Sequence, residues 1–527
     1  MSRRSGALLL VSVAAFICAY TVWLSYKDFK NQYWEDGKFS TSEFTVVKLG
    51  LELDRPLFET DDRFLSVNID WAQIVGAPWW DPSGAREWKP TLKLARKIDF
   101  TSEKLKQLTQ ALGPLIIRVG GSSGDDVGYD EKTSAPYRLT QERWGEIRSF
   151  AQSVKARLLV GLNGGPSSRD TNGAWRPESA AALLDEFKKN PDEVEGVELG
   201  NEANAYAFRY GFSNFIKASQ WISDLKSLRS ELQHRNISTK IMGPSSAFWP
   251  VLHEPFSWLF GLFKPLADQK GLLDVLTWHY YPTQSMRCSV NVRRTTPFFS
   301  TNAERLDEWQ KQERLLESYR AGRPIWLGET GPAQCGGQPG VSDRFVSSLW
   351  WVDQLGLAAK NGQAVVVRQS LTDLDYGFLS GEAYEPRPDY WASLAWRNIM
   401  GSRVIAVRRG DWAVNLRAYA HCLSKRNPLY RPGAIAIVVL NLFQNQTQKI
   451  DLVEKVPGPV WSYSFSALSP FSNEVLLNGQ TLKAEVSGRV SLPAPLPVLR
   501  RADLLLDAPP LSFTFLAFPQ AQVRACF

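Results

Sequence analysis

From Phe64 onward, apolar runs of seven to nine residues alternate with stretches whose apolar positions recur at helical spacing. The runs are FLSVNIDW (64–71), LIIRVGG (115–121), RLLVGLN (157–163), GVELGNE (196–202), KIMGPSS (240–246), LDVLTWHYY (273–281), PIWLGET (324–330) and AVVVRQS (364–370). Helical stretches such as TSEKLKQLTQAL (101–112), 214–234 and 303–319 lie between them. Eight strand-like runs in this alternation predict an α/β fold, a (β/α)8 TIM barrel over residues 62–399, in preference to a doubly wound sheet. After about residue 400 the helical period fades. Short runs such as WAVNLRAYAH, AIAIVVLNLF, EVLLNGQTL and SFTFLAF, separated by Gly, Pro and Asn, predict a β-sandwich over 400–527. EFTVVKLGLEL, within 43–60, is also strand-like and is expected to join that sandwich from the other end of the chain.

In such a barrel, chemistry collects at the carboxyl ends of the strands. Nearly every run here ends in polar residues: Asp70, Gly121-Ser122, Asn163, Asn201-Glu202, His279 to Tyr281, Glu329 and Arg368-Gln369. Glu202, in VELGNEANAY, closes the fourth run, and Glu329, in WLGETG, closes the seventh, so the two carboxylates can face each other across the mouth. Retaining glycosidases need that arrangement: one carboxylic acid protonates the leaving oxygen while a carboxylate roughly 5–5.5 Å away attacks the anomeric carbon. The acid needs a raised pKa and the nucleophile must stay ionised. Asn201 stands where its amide can reach a sugar 2-hydroxyl, Tyr281 can donate its phenol to Glu329, and His279 can hold the local geometry. A competing motif is Gly120-Gly121-Ser122-Ser123-Gly124, which matches the G-x-S-x-G nucleophile elbow. That elbow must lead into a helix, whereas GDDVGYDEKTSAP reads as a loop, so a turn carrying Ser122 to the substrate is expected instead. Trp79-Trp80, after the first run, serves either as a stacking wall for a sugar or as loop packing.

Composition narrows the function classes. The chain has 527 residues, 44% hydrophobic and 22% charged, with a net charge of +7 and a pI of about 9.0. The positive balance suits an acidic substrate, and the absence of a dense Lys/Arg run or recognition motif argues against nucleic acid. None of the four histidines sits at metal-ligand spacing with another His or a Cys pair, so neither metal nor cofactor is expected. In residues 1–30, Arg3 and Arg4 precede 19 uncharged residues, Gly6 to Leu24. This reads as a signal-anchor, giving a single-pass type II membrane protein, or as a cleaved signal peptide of a secreted one; either sends the rest of the chain out of the cytosol. Cys288 and Cys335 lie on loops from neighbouring strands, where they pair across the active-site rim or remain two free thiols. Asn236 and Asn445 head N-glycosylation sequons.

NEAN after a strand, WHYY, WLGETG followed by CGGQPGVSD, VVRQS, and the C-terminal RAYAHC…ACF together resemble the heparanase-like glycoside hydrolases, family 79, from about Glu43 to Phe527. The resemblance implies a (β/α)8 barrel with a β-sandwich and retaining, double-displacement cleavage of β-linked glucuronic acid in glycans or glucuronides. It implies Glu202 as acid/base, Glu329 as nucleophile, Asn201 and Tyr281 in the active site, and Asp70, Ser122 and Gln369 as sugar contacts. It further implies that Gly336 and Gly337, after Cys335, bind the uronate carboxylate through backbone N–H groups together with Tyr376, and that Cys422 pairs with Cys526. The expected partner is a glucuronic-acid-containing oligo- or polysaccharide. The chain departs from the family pattern in several places. Only about 36 residues separate the second and third runs, too few for an excised linker. The basic clusters that grip heparan sulfate are reduced to Arg209, Arg293 and Arg294, Ala203 replaces a proline, and Cys335 replaces a glycine. Two alternatives stay open: a carbohydrate-binding barrel without activity, and a retaining β-glycosidase for a neutral sugar.

Overall fold

The computed structural model describes residues 46–81, 92–248, 261–289, 293–409, 415–498 and 506–527. The expected signal-anchor or signal peptide at residues 1–30 lies outside the described residues; among these, no helix is long and apolar enough to cross a membrane.

Eight parallel strands close into a barrel in chain order: Leu65–Asp70, Ile116–Gly120, Arg157–Leu162, Val194–Leu199, Lys240–Phe248, Val275–Tyr280, Ile325–Thr330 and Gln363–Gln369. Helices Glu103–Leu112, Gln141–Ser153, Ala181–Lys189, Ala218–His234, Phe345–Lys360 and Pro388–Ile399 are among those between and after them. The stretch 303–319 is broken into two short helices, Ala303–Asp307 and Gln310–Ser318. Because side chains alternate across a strand, each barrel strand sends every second residue inward. Ile116, Leu159, Met242, Val275, Trp326, Val365 and Val367 form one buried apolar cluster, the plug of the barrel. Two positions further along their strands stand Arg118, Thr277 and Gln369, the polar layer above that plug.

The seventh strand breaks this alternation where it matters most. Trp278 of the sixth strand pairs with Leu327, but His279 pairs with Glu329, so Gly328 is an extra residue. The register against the eighth strand also slips, between Leu327 and Thr330. With Trp326 inward, strict alternation would send Glu329 outward; the bulge re-aims it into the mouth.

The second module has two sheets. A four-stranded sheet runs in the order Val407–Arg409, Val46–Leu51, Gln448–Leu452, Leu506–Ala508, so an N-terminal strand lies inside it. The larger sheet is centred on Leu416–Leu423, Ile435–Asn441, Ser512–Phe518 and Val460–Ser466. Its central strands are apolar on both faces. Ile435, Ile437 and Val439 join the core shared with the small sheet, while Ala436, Val438 and Leu440 join the large core that includes the barrel helices. Phe513 stacks on Phe345 of a barrel helix at 5.8 Å, and Arg417 pairs with buried Asp353 of the same helix.

Cys422 and Cys526 are disulfide-bonded across 104 residues of chain. Replacing both by serine is expected to remove about 5 kcal/mol in the chain-entropy model, read as a lower urea midpoint.

Candidate active site

The fourth strand ends at Leu199, three residues before Glu202. Gly200 turns the chain with φ +67°; a Cβ there would come within 2.5 Å of the Tyr206 hydroxyl and 2.9 Å of Trp221, so only glycine fits. Glu202 itself is left-handed, φ +52°, a costly conformation for a residue with a Cβ. Surrounding hydrogen bonds hold it there. The Glu202 N–H donates to the Ser245 carbonyl at 3.1 Å, and the buried Asp125 carboxylate accepts from the N–H groups of Asn201 (3.2 Å) and Gly164 (3.1 Å). Burial pushes the Glu202 carboxyl up to about 7, against the opposing pull of Arg118 and Arg209.

Glu329 is built differently. Its Oε1 accepts from the Tyr281 hydroxyl at 2.7 Å and its Oε2 from Arg118 Nη1 at 2.7 Å. Arg118 is fully buried and spends its guanidinium on the whole site. Nε donates to Glu198 at 2.7 Å, Nη1 also to Asn68 Oδ1 at 3.2 Å, and Nη2 to Asn201 Oδ1 at 3.0 Å. Burial alone would raise the Glu198 carboxyl, but Arg118, together with His279 and the Ser245 hydroxyl, outweighs it and Glu198 lies below its ordinary value.

His279 lies between the two carboxylates. Its Nε2 is 3.3 Å from Arg118 Nη2, which can only donate, so Nε2 accepts and the proton resides on Nδ1. That Nδ1–H donates to Glu202 Oε1 at 3.1 Å and lies 4.0 Å from Glu329 Oε2. Burial pushes the imidazole down to about 4, so it is neutral at physiological pH. The nearest oxygens of Glu202 and Glu329 and the His279 nitrogen all lie within 4.8 Å of one another. Those three groups are also a conceivable ligand set for a metal ion. Arg118, however, already places a positive charge 2.7 Å from the Glu329 oxygen, which disfavours a second cation there.

Asp70 Oδ1 caps the helix at Trp71–Val75 and its Oδ2 accepts from Gln369 Nε2 at 3.1 Å; burial, with the Glu329 charge adding to it, pushes Asp70 up to about 7. Gln369 also donates to the Tyr376 hydroxyl at 3.3 Å, so Asp70, Gln369 and Tyr376 form one hydrogen-bonded row. Ser122 begins a short 3-10 turn rather than an α-helix, and its Oγ accepts from Asn201 Nδ2 at 3.3 Å, unlike a serine elbow poised against a base. Cys288 and Cys335 are disulfide-bonded, with Gly336 and Gly337 immediately following. Trp79 is buried with Tyr281, Leu374 and Tyr376, so packing is its role; Trp80 is only partly buried beside them. Two of the arginines considered for an anionic subsite are committed elsewhere: Arg209 pairs with Asp126 and Arg293 with Glu308. Arg294 is exposed.

Sequence reasoning missed Arg118, Glu198, Asp125 and Arg287. For the first two a signal was present: a lone charge inside LIIRVGG and another inside GVELGNE, each costly in a buried strand unless paired. Asp125 lies in the 3-10 turn after the second strand and Arg287 in a loop, where a charged residue carries no such warning.

The profile of the glycosyl hydrolase family 79 N-terminal domain matches residues 47–356. Mouse heparanase is 28% identical, the match covering 91% of this chain and 94% of that one. Human inactive heparanase-2 is 28% identical over 74% of this chain and 66% of its own. Baicalin-beta-D-glucuronidase of Scutellaria baicalensis is 25% identical over 90% of this chain and 92% of its own. Among solved structures, a 4-O-alpha-L-rhamnosyl-beta-D-glucuronidase from Fusarium oxysporum superposes with a TM-score of 0.62 at 14% identity, covering 90% of this chain and 100% of that one, a likeness of fold.

The raised Glu202 carboxyl has a consequence for stability. A folded-state pKa of about 7 against an ordinary 4.5 means that the native state binds this proton more tightly than the unfolded state does. Its contribution is present in full below pH 4.5 and is lost as the pH rises through 7. Glu202→Gln, which mimics the protonated form, is therefore expected to match the wild type at pH 4.5 and to exceed it in thermal midpoint at pH 8, measured by melts across that range.

Proposed function

The chain belongs to glycosyl hydrolase family 79 and is a glycoside hydrolase acting on glucuronides; from that premise we propose that it cleaves them with retention, Glu202 serving as acid/base and Glu329 as nucleophile. The observation that carries this reading is the carboxylate spacing. Oxygens within 4.8 Å of one another fit the roughly 5–5.5 Å between carboxyl groups of a retaining enzyme better than the roughly 6.5–9.5 Å of an inverting one.

The division of labour follows from the two environments. Protonated Glu202 delivers its proton to the glycosidic oxygen while Glu329 attacks the anomeric carbon, so the C–O bond to the leaving group breaks as the glycosyl–Glu329 ester forms. Glu202, now a carboxylate, takes a proton from water as that water attacks the anomeric carbon from the face the leaving group vacated, opposite Glu329, and the C–O bond to Glu329 breaks. Neutral His279 holds Glu202 Oε1 by donation, which leaves Oε2 to carry the travelling proton. Arg118 and Tyr281 each occupy one Glu329 oxygen and supply the counter-charge and orientation. Asn201 then meets the 2-hydroxyl. Asp70, Gln369, Ser122 and Tyr376 contact the ring, and the Gly336–Gly337 backbone with Tyr376 receives the uronate carboxylate.

The pairing of Arg209 and Arg293 with acidic neighbours favours small or lightly sulfated glucuronides over heparan sulfate. The two disulfides are consistent with an extracytosolic protein. Anchorage through residues 1–30, with a type II orientation, is our reading of the sequence alone. The similarity to an inactive heparanase sustains the second reading, a binding barrel, which the same experiment decides.

Glu329→Gln is expected to abolish turnover of an aryl β-glucuronide; an unchanged rate refutes the nucleophile assignment, and wild-type preference for the aryl glucoside refutes the glucuronide reading. In the wild type, kcat/KM should fall as pH rises above about 7, where Glu202 loses its proton. Glu202→Gln should erase that limb and slow poor leaving groups by roughly 10²–10⁴-fold, checked by a pH–rate profile with aryl and alkyl glucuronides.

A further inference from the structure

The turn that follows the seventh strand is held with unusual thoroughness. Cys335 is bonded to Cys288 on the loop after the sixth strand, with Cα atoms 5.5 Å apart. Around that bond the two loops exchange hydrogen bonds: Gln334 N–H to the Thr283 carbonyl (3.0 Å), Thr283 Oγ1 to the Pro332 carbonyl (2.6 Å) and Ser285 Oγ to the Cys335 carbonyl (3.0 Å). Buried Arg287, next to Cys288, donates to the Gly337 carbonyl at 2.8 Å and to Asp375 at 2.6 Å, and the Asp375 N–H returns to the Gly336 carbonyl at 2.8 Å. Every carbonyl of the Cys335–Gly337 turn is thereby occupied.

Its N–H groups are not. None of the three donates to another described residue. Cys335, Gly336 and Gly337 are successively left-handed, with φ of 57°, 86° and 83°. Successive N–H groups left open in a turn form a concavity suited to an anion. A Cβ on Gly337 would lie 2.7 Å from the Tyr376 nitrogen, so only glycine fits there, whereas Cys335 carries a Cβ and adopts a positive φ at a cost. The turn also lies against the nucleophile's support: it packs on Leu374 and Tyr376, which share an apolar cluster with Tyr281, the residue bonded to Glu329.

Resting on the glucuronidase reading above, we propose that the Cys288–Cys335 disulfide, with Arg287 beside it, is a positioning element that holds these N–H donors open for the acidic group of the sugar and so sets the preference for a uronide over a neutral sugar. The cross-link restrains the strained Cys335 conformation, and Arg287 fixes the far end of the same turn through the Gly337 carbonyl.

The test is a C288S/C335S double variant assayed with an aryl β-glucuronide and the matching aryl β-glucoside. The expected result is a KM for the glucuronide raised about tenfold with kcat little changed, the pattern of lost binding rather than lost chemistry, and an unaltered kcat/KM for the glucoside. An equal fall on both substrates, or no change on either, overturns the proposal, because a purely stabilising bridge cannot distinguish an acid from a neutral sugar. Should the variant fail to fold, reversible reduction of the wild-type protein, with peptide mapping to show which bridge opened, reads out the same ratio. A wild type that itself prefers the glucoside marks failure of the glucuronide reading instead; a wild-type preference that survives opening of the bridge marks failure of this proposal alone.

Discussion

The site depends on one buried cation. From the second strand, Arg118 joins Asn68, Glu198, Asn201, His279 and Glu329 of the first, fourth, sixth and seventh strands or the loop after them. A guanidinium is the side chain able to do this, since it presents five donors in a plane and does not lose its charge. Without it, Glu198 and Glu329 would share a water-poor interior as two uncompensated carboxylates, a loss of the order of 3–5 kcal/mol for a broken buried pair. Its reach also decides the His279 tautomer, and through it the oxygen of Glu202 that stays free.

From that arrangement the asymmetry of the two carboxyls follows. Glu329 has Arg118 and a phenol on its oxygens. Among the described residues Glu202 has a neutral imidazole on its carboxyl, and the attraction of Arg118 and Arg209 does not cancel the cost of burial. The same low dielectric that strengthens the Arg118 pairs keeps the Glu202 proton in place. The site is costly in the ways such sites are: a left-handed Glu202, a carboxyl held near 7 and an Asp70 pushed the same way all detract from stability. Large apolar cores within the barrel, and between it and the sandwich, offset that cost.

The wall of the pocket is braced from outside the barrel proper. The rim disulfide ties the loops after the sixth and seventh strands, and Arg287 with Asp375 extends the tie to the segment after the eighth. Those loops carry Tyr281, Gly336, Gly337 and Tyr376, so the residues assigned to sugar recognition sit on a cross-braced surface, and precise placement of donors is what preorganised binding requires.

Much of this was legible in the chain itself. Repeated apolar runs separated by helical periods specify eight strands in order, because period and length are local properties of a segment, and the polar residues at the run ends mark the catalytic mouth. The family resemblance rested on motifs such as NEAN and WLGETG, which are contiguous. What the chain could not show depends on residues far apart in it. Strict alternation would turn Glu329 away from the mouth, and only the pairing with the sixth strand, which skips Gly328, reveals the bulge that turns it in. The role of Arg118 depends on five partners drawn from across residues 68–329, and the commitment of Arg209 and Arg293 to acidic neighbours depends on loops meeting in space. That Glu202 keeps its proton is likewise a matter of burial and neighbouring charge, and both are created by folding.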